Sequence, residues 1–236
     1  MRNSLPLQSG LLALLAALSA SALPAQTCGA APSFKNFGYR AGAGAGFGQH
    51  VKLFSVVGAA GLRNSPLYSS ASIGLIQYQG LDRRAFTTAL SVGLEAPLDA
   101  LRASGLCPFV SAGTQTGPKN IGNAGVDYSD VEIGAGLAIG REIQRWENGS
   151  VAIAVEGLYR RVFYRYESST GRITDNEGQS ALTLTLGVAN GRVLFRISLS
   201  QAADLTLAPT SFSVGIAIMG SPRPDVPTPR WRALAD

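Results

Sequence analysis

The residue types that most often carry chemistry are scarce in this chain. Its 236 residues hold one histidine, His50, and two cysteines, Cys28 and Cys107. A general base needs a hydrogen-bonding partner and a defined place for its nucleophile. Asp82, Asp127 and Asp130 lie at a level similar to His50 in the strand scheme given below, yet no motif joins them. His50 therefore reads as a solvated loop residue, and no catalytic residue is expected. The same scarcity leaves no multi-ligand metal site. The run GAGAGFG at 42–48 lacks the Lys-Ser/Thr and the following helix of a phosphate-binding loop, so no cofactor is expected.

What remains is charge. Only 15% of residues are charged, against about 25% in ordinary soluble domains. Basic residues number 20 against 15 acidic, and 17 of the 20 are arginine. Arg83, Arg84, Arg160, Arg161, Arg165 and Arg172 form one group. A guanidinium pairs with phosphate through two parallel hydrogen bonds, so these suit phosphate contacts; solvated loop charge is the alternative. A second group, Arg40, Glu95, Glu132, Glu142, Glu156 and Arg196, falls on the small-residue faces of the strands described next. No basic helix or aromatic-basic motif appears, and nucleic acid is not an expected partner.

These groups must be placed by strands. Residues 180–188, SALTLTLGV, alternate Leu182, Leu184, Leu186 and Val188 with Ala181, Thr183, Thr185 and Gly187. Residues 210–219 repeat the pattern with Phe212, Val214, Ile216 and Ile218. Such a period of two gives a strand one apolar face and one small or polar face. Ten strands are expected, over 38–48, 53–63, 67–79, 85–97, 107–117, 130–142, 150–164, 180–189, 193–201 and 210–219, with eight as the alternative. Several reach ten or more residues, the length that crosses a bilayer when tilted, whereas the usual globular strand has five or six.

The N-terminus, MRNSLPLQSGLLALLAALSASALPAQ, has a positive start, an apolar run and small residues. That is the order of a secretory signal peptide, expected over 1–25. No other segment is apolar enough for a transmembrane helix, so a membrane form must be a closed barrel. In an oxidising compartment Cys28 and Cys107 are expected to form a disulfide; two free thiols are the alternative. Gln26-Thr27 before Cys28 fits a lipid-attachment motif poorly.

Connections alternate between short ones (64–66, 98–106, 144–149, 190–192) and a set containing the long polar segments 118–129 and 167–179. Short turns on one side and longer loops on the other are the habit of bacterial outer-membrane barrels. Both chain ends, Cys28 and Cys107 then share the periplasmic side. Aromatics sort by height: Tyr39, Tyr68, Phe109, Trp146 and Phe195 near one end, Phe47, Phe54, Tyr78, Phe86, Tyr128, Phe163 and Phe212 near the other. Two belts where rings meet headgroups are expected.

On these features residues 38–220 resemble small bacterial outer-membrane barrels of the OmpA/OmpX-like superfamily. GLRNSPLYSSASIGLIQY (61–78) looks like a periplasmic hairpin of that group. The strand Ser213–Met219 is similar to the assembly signal on their last strand, although it lacks a terminal aromatic. The resemblance implies an all-β antiparallel transmembrane barrel, with outer-membrane lipid, lipopolysaccharide and the barrel-assembly machinery as partners. Residues 26–37 form an expected periplasmic segment and 221–236 a Pro-rich periplasmic tail. The function expected is structural or interactive, through the outer loops and without catalysis. A narrow channel for ions or small solutes is one alternative. An exported soluble barrel with an apolar ligand inside is another, since alternation alone does not say which face points inward.

Overall fold

In a computed structural model the described residues are 27–32, 38–48, 51–61, 65–78, 84–98, 104–119, 125–202 and 211–220. The expected signal peptide, His50, Asp82, Arg83 and the Pro-rich tail lie outside them. The described residues form thirteen strands and no helix: β1 (Thr27–Cys28), β2 (Ala31–Pro32), β3 (Tyr39–Phe47), β4 (Val51–Gly61), β5 (Leu67–Tyr78), β6 (Arg84–Leu94), β7 (Ala96–Pro97), β8 (Ser104–Thr116), β9 (Asp127–Trp146), β10 (Gly149–Ser168), β11 (Gly171–Asn190), β12 (Val193–Ala202) and β13 (Ser211–Gly220). No described helix is long and apolar enough to cross a membrane.

Ten of these strands close into an antiparallel meander. Each of β3, β4, β5, β6 and β8 to β13 pairs with its chain neighbour, and β13 pairs with β3 through Phe212↔Phe47 to Gly220↔Tyr39. The expected strand count is correct, including the Gly- and Ala-rich β3. Closure satisfies the edge groups that an open sheet would leave bare. β7 is a short extension paired to β8. β9, β10 and β11 have 20 residues each, against 9 to 13 in the other barrel strands.

The alternation now acquires a sign. Phe54, Val56, Ile73, Leu75, Leu90, Val92, Ile133, Ile197, Ile216 and Ile218 all stand on the outside, with Ile133 59% and Ile218 60% exposed. The same strands turn Ser55, Ser70, Ser91, Thr183, Thr185, Ser198 and Gly215 inward. A soluble barrel binding an apolar ligand requires the reverse orientation. A continuous apolar exterior of this height is the surface of a barrel standing in lipid.

Small inward residues solve a packing problem. A ten-stranded barrel encloses more space than an eight-stranded one, and the chain fills part of it with two rings. Tyr68 lies across the position that a Cβ at Gly93 would occupy, and Phe109 across that of Gly136. Hydroxyl pairs between adjacent strands satisfy the polar lining: Ser70 with Ser91 at 2.6 Å, Thr183 with Ser200 at 2.8 Å, and Thr185 with Ser198 at 2.9 Å.

The mouth at the end that holds the turns 147–148 and 191–192 is filled from the N-terminal side. β1 and β2 form a hairpin around Gly29 and Ala30, both at positive φ. Ala30 and Ala31 are completely buried. Ala30 packs with Ala152 and Ala154, and Ala31 with Ala189, Leu194, Ala217 and Met219. The expected periplasmic segment 26–37 is therefore, over 27–32, part of the barrel's interior.

Candidate functional site

Two regions gather polar and charged side chains, the lumen and the outer face. All six residues expected to point inward do so. Arg40 (β3) approaches Glu95, which follows β6, at 3.9 Å, and Glu95 is only 3% exposed. Arg40 also donates from Nη2 to the Pro32 carbonyl, tying the barrel wall to the hairpin. Glu142 is buried beneath Arg145, which donates from Nε at 2.7 Å and from Nη2 at 2.8 Å. A bulge produces this fork. Val151 faces Gln144 whereas Ala152 faces Glu142, so Ile143 is extra and the chain turns Arg145 back over Glu142. Glu132 accepts from Arg160 Nη1 at 2.8 Å.

Glu156 (β10) and Arg196 (β12) line one cavity of about 280 Å³ together with Arg40, Tyr68, Ser70 and Gly29. They attract each other through it but form no ion pair at contact distance. A second cavity of about 210 Å³ lies on the other side of Arg196, against Gly44, Gly46, Ser55, Ser198 and Ser213.

Outside, Phe47, Phe54, Phe86, Tyr159, Phe163 and Phe212 stand exposed toward the end where β9 to β11 project, and Tyr39, Trp146 and Phe195 toward the opposite end. Tyr68, Phe109, Tyr78 and Tyr128, expected in the same belts, point inward instead. Height alone placed them; the parity of the strand position decides the face.

Beyond the outer girdle β9, β10 and β11 continue as a three-stranded sheet. The ladder between β10 and β11 runs unbroken from Gly149↔Asn190 to Ser168↔Gly171. The expected long loop 167–179 is thus the end of a hairpin turning at Ser169-Thr170, and 127–129 of the expected loop 118–129 belongs to β9. On its inner face Tyr128 donates to Asp130 at 2.6 Å, and its ring lies 5.2 Å from that of Tyr166. Arg160 donates to Gln179 at 3.0 Å, and Gln179 to the Tyr164 hydroxyl at 2.8 Å. Tyr128, Asp130, Tyr164 and Tyr166 stand beyond the level of Phe163, whereas Arg160 and Gln179 lie three residues below it. Burial, reinforced by the Asp130 carboxylate, raises the Tyr128 phenol above its ordinary value. Burial also raises the Asp130 carboxyl, against the opposing pull of Tyr128 and Arg160.

The lipid-side face of the same sheet carries Arg161, Arg165 and Arg172. Arg161 holds Asn176 through Nε at 3.0 Å, and Arg165 pairs with Glu167 at 2.6 Å. Phe163, Arg165, Arg172 and Asn176 border an open groove of about 430 Å³. Arg84 is exposed at the outer end of β6, above Phe86. Arg160 belongs to the opposite, inner face. Of the six expected outer-rim arginines, four share the outside, Arg160 does not, and Arg83 is not described.

No family model matches the chain, and no curated protein does. Solved structures with a similar course include a porin and domains of two autotransporters. The KdgM porin aligns at 7% identity over 76% of this chain and 98% of its own, with a TM-score of 0.37. The translocator domain of the autotransporter NalP from Neisseria meningitidis aligns at 12% identity over 90% and 94%, with a TM-score of 0.43. The beta domain of the Bordetella autotransporter BrkA aligns at 17% identity over 77% and 98%, with a TM-score of 0.42.

The sequence reading missed the hairpin at 27–32. One signal was present: Gly29-Ala30-Ala31 offers nothing but small side chains beside Cys28, a composition suited to a tight, dry space. Among the described residues no group of three or more His, Cys, Asp or Glu side chains gathers to hold a metal.

Proposed function

We propose that this protein is an exported outer-membrane barrel with a structural or interaction role, which presents the β9–β11 sheet outside the cell. One observation carries this reading: three adjacent 20-residue strands, hydrogen-bonded to their tips, stand beyond an aromatic girdle that bounds the apolar exterior. In this reading residues 1–25 are a signal peptide and both ends of the mature chain lie in the periplasm. The Pro-rich residues 221–236 then form a periplasmic tail, and the barrel-assembly machinery inserts the chain.

Arg84, Arg165 and Arg172 sit just above the exposed rings of Phe86 and Phe163, and Arg161 sits between those of Tyr159 and Phe163. That is the height at which outer-leaflet glycolipids carry their phosphates, and we assign these four to headgroup contact. Cys107 faces inward and is fully buried on β8, and β1, which holds Cys28, packs against β8. This placement, with no free cysteine among the described residues, supports a Cys28–Cys107 disulfide. The inward charges then act as a lumen network that fixes wall strands to one another. No enzymatic activity is part of the reading.

The test is an epitope inserted between Ser169 and Thr170. Antibody labelling of intact cells, with a heat-shifted band in the outer-membrane fraction, is the expected result. An epitope reached only after permeabilisation, or protein recovered in the soluble periplasm, overturns the proposal.

A further inference from the structure

The lumen is divided in a way that a purely structural barrel does not need. On one side of it the wall is stripped of bulk: β3 turns Gly42, Gly44 and Gly46 inward, and β13 turns Ser213, Gly215 and Ala217 inward. The two cavities lie along this wall, the 280 Å³ one toward the periplasm and the 210 Å³ one toward the outer rim. Either is large enough for several water molecules. Arg196 and Val57 line both, so they mark the constriction between them. Of the described residues lining the two cavities, the charged ones are Arg40, Arg196 and Glu156, two guanidinium groups against one carboxylate. Above Arg196 the outer cavity offers hydroxyls from Ser55, Ser198 and Ser213 and no carboxylate. Ser198 accepts from Thr185, so its own hydroxyl hydrogen is left to donate.

At the periplasmic end the inner cavity stops against the hairpin, whose Gly29 lines it. The wall is shaped for that hairpin. A Cβ at Gly187 would overlap the Ala30 carbonyl, the closest such approach of any glycine in the described barrel. Arg40 holds the Pro32 carbonyl from the other side. Yet the hairpin has only two two-residue strands paired to each other, and it joins no barrel strand through a ladder. Apart from the disulfide to Cys107 proposed above, it is packed into the mouth rather than woven into the wall.

From this we infer that the lumen is a path for small anions, with Arg196 as its filter and residues 27–32 as a plug that closes the periplasmic mouth. The inference rests on the membrane-barrel reading above. Charged side chains at a constriction set which sign of ion passes. The inorganic anions chloride and phosphate are the probes that match one guanidinium and three hydroxyls.

The experiment compares the purified full chain with a Gly187→Val variant, both with the Cys28–Cys107 disulfide reduced so that the hairpin is not tethered to β8, in planar bilayers under a chloride gradient, and then under a phosphate gradient. The valine removes the plug's seat without altering the plug. The expected result is long-lived open events in the variant that are absent or rare in the parent, with a reversal potential of anionic sign. Adding Arg196→Glu should move that potential to the cationic sign. A second variant replaces Thr27–Pro32 by a Gly-Ser linker of equal length, with Cys107→Ser; it opens the mouth with Gly187 intact. Heat-shifted mobility on a gel first establishes that each variant is a closed barrel. If folded variants conduct no more than the parent, the plug is overturned. If they open but Arg196→Glu leaves the sign unchanged, the filter is overturned. A parent chain without a heat shift overturns the membrane barrel itself, and the plug with it.

Discussion

The orientation of the alternating faces is the statement on which everything else stands, and Ile216 tests it directly. This residue is on β13, outward and 47% exposed. Four residues separate it from Phe212 in the outer girdle and four from Gly220 at the periplasmic end of the strand. At about 3.3 Å per residue and a tilt near 40°, four residues correspond to roughly 10 Å of depth. Ile216 therefore lies close to the middle of an apolar band about 25 Å tall. An arginine on the lipid face there costs about 2–4 kcal/mol, and near an interface only about 0–1. The variants to compare are Ile216→Arg against Ile216→Ala, and Phe212→Arg against Phe212→Ala, so that loss of the apolar side chain cancels. The first difference should be about 2–4 kcal/mol, a factor of roughly 30 to 700 in the unfolding constant. The second should not exceed about 1 kcal/mol. Urea unfolding of the barrel in phospholipid vesicles, read by tryptophan fluorescence, measures both. Equal costs at the two depths, or no cost at Ile216, would refute the reasoning, because an inward-facing or water-facing site has no dependence on bilayer depth.

Three further outcomes separate buried from exposed charge and test the cysteines. Glu95→Gln should destabilise the barrel by about 3–5 kcal/mol, since it leaves Arg40 buried without its carboxylate, while Arg165→Ala should cost less than about 1 kcal/mol because that pair is exposed; denaturant midpoints report both. Replacing Arg161, Arg165 and Arg172 together by Gln should weaken binding to phosphorylated glycolipid vesicles, with a shallower salt dependence, and Arg160→Gln should leave it unchanged. Thiol alkylation of the unreduced, denatured protein should add nothing, whereas after reduction it should modify both Cys28 and Cys107; alkylation before reduction would remove the disulfide.

The wall of this barrel was legible because lipid imposes one rule on every outward position. Val214, Ile216 and Ile218 alternate without exception, and that regularity gives both the strand and its face. The same rule explains what was not legible. Above the girdle, Arg172 to Gln179 contain one large apolar residue, Ile173, and no period of two. There the strand stands in water on both faces, and its ladder to β10 is made by backbone groups, which leave no mark on side-chain pattern. The residues read as loop are strand for this reason. The six inward charges were found because each interrupts a small-residue face. Their pairing was not, since whether Glu142 meets Arg145 depends on a one-residue bulge at Ile143.

The hairpin was hidden for a different reason: its place is written in residues far from it. Nothing in Gly29-Ala30-Ala31 demands burial, and the seat is supplied by Gly187, Ala189, Leu194 and Ala217, more than 150 residues later. Each of these alone reads as an ordinary small or apolar wall position. Together they narrow the wall by one side-chain layer at the level of the mouth, and only a closed barrel brings β11, β12 and β13 around to that point. A lumen lined throughout by bulky side chains would have needed no insert, as in smaller barrels that fill themselves. This chain instead keeps β3 and β13 bare and closes the mouth with a separate segment, and that division of labour is what makes the plug removable by a single valine at Gly187 once its disulfide to Cys107 is reduced.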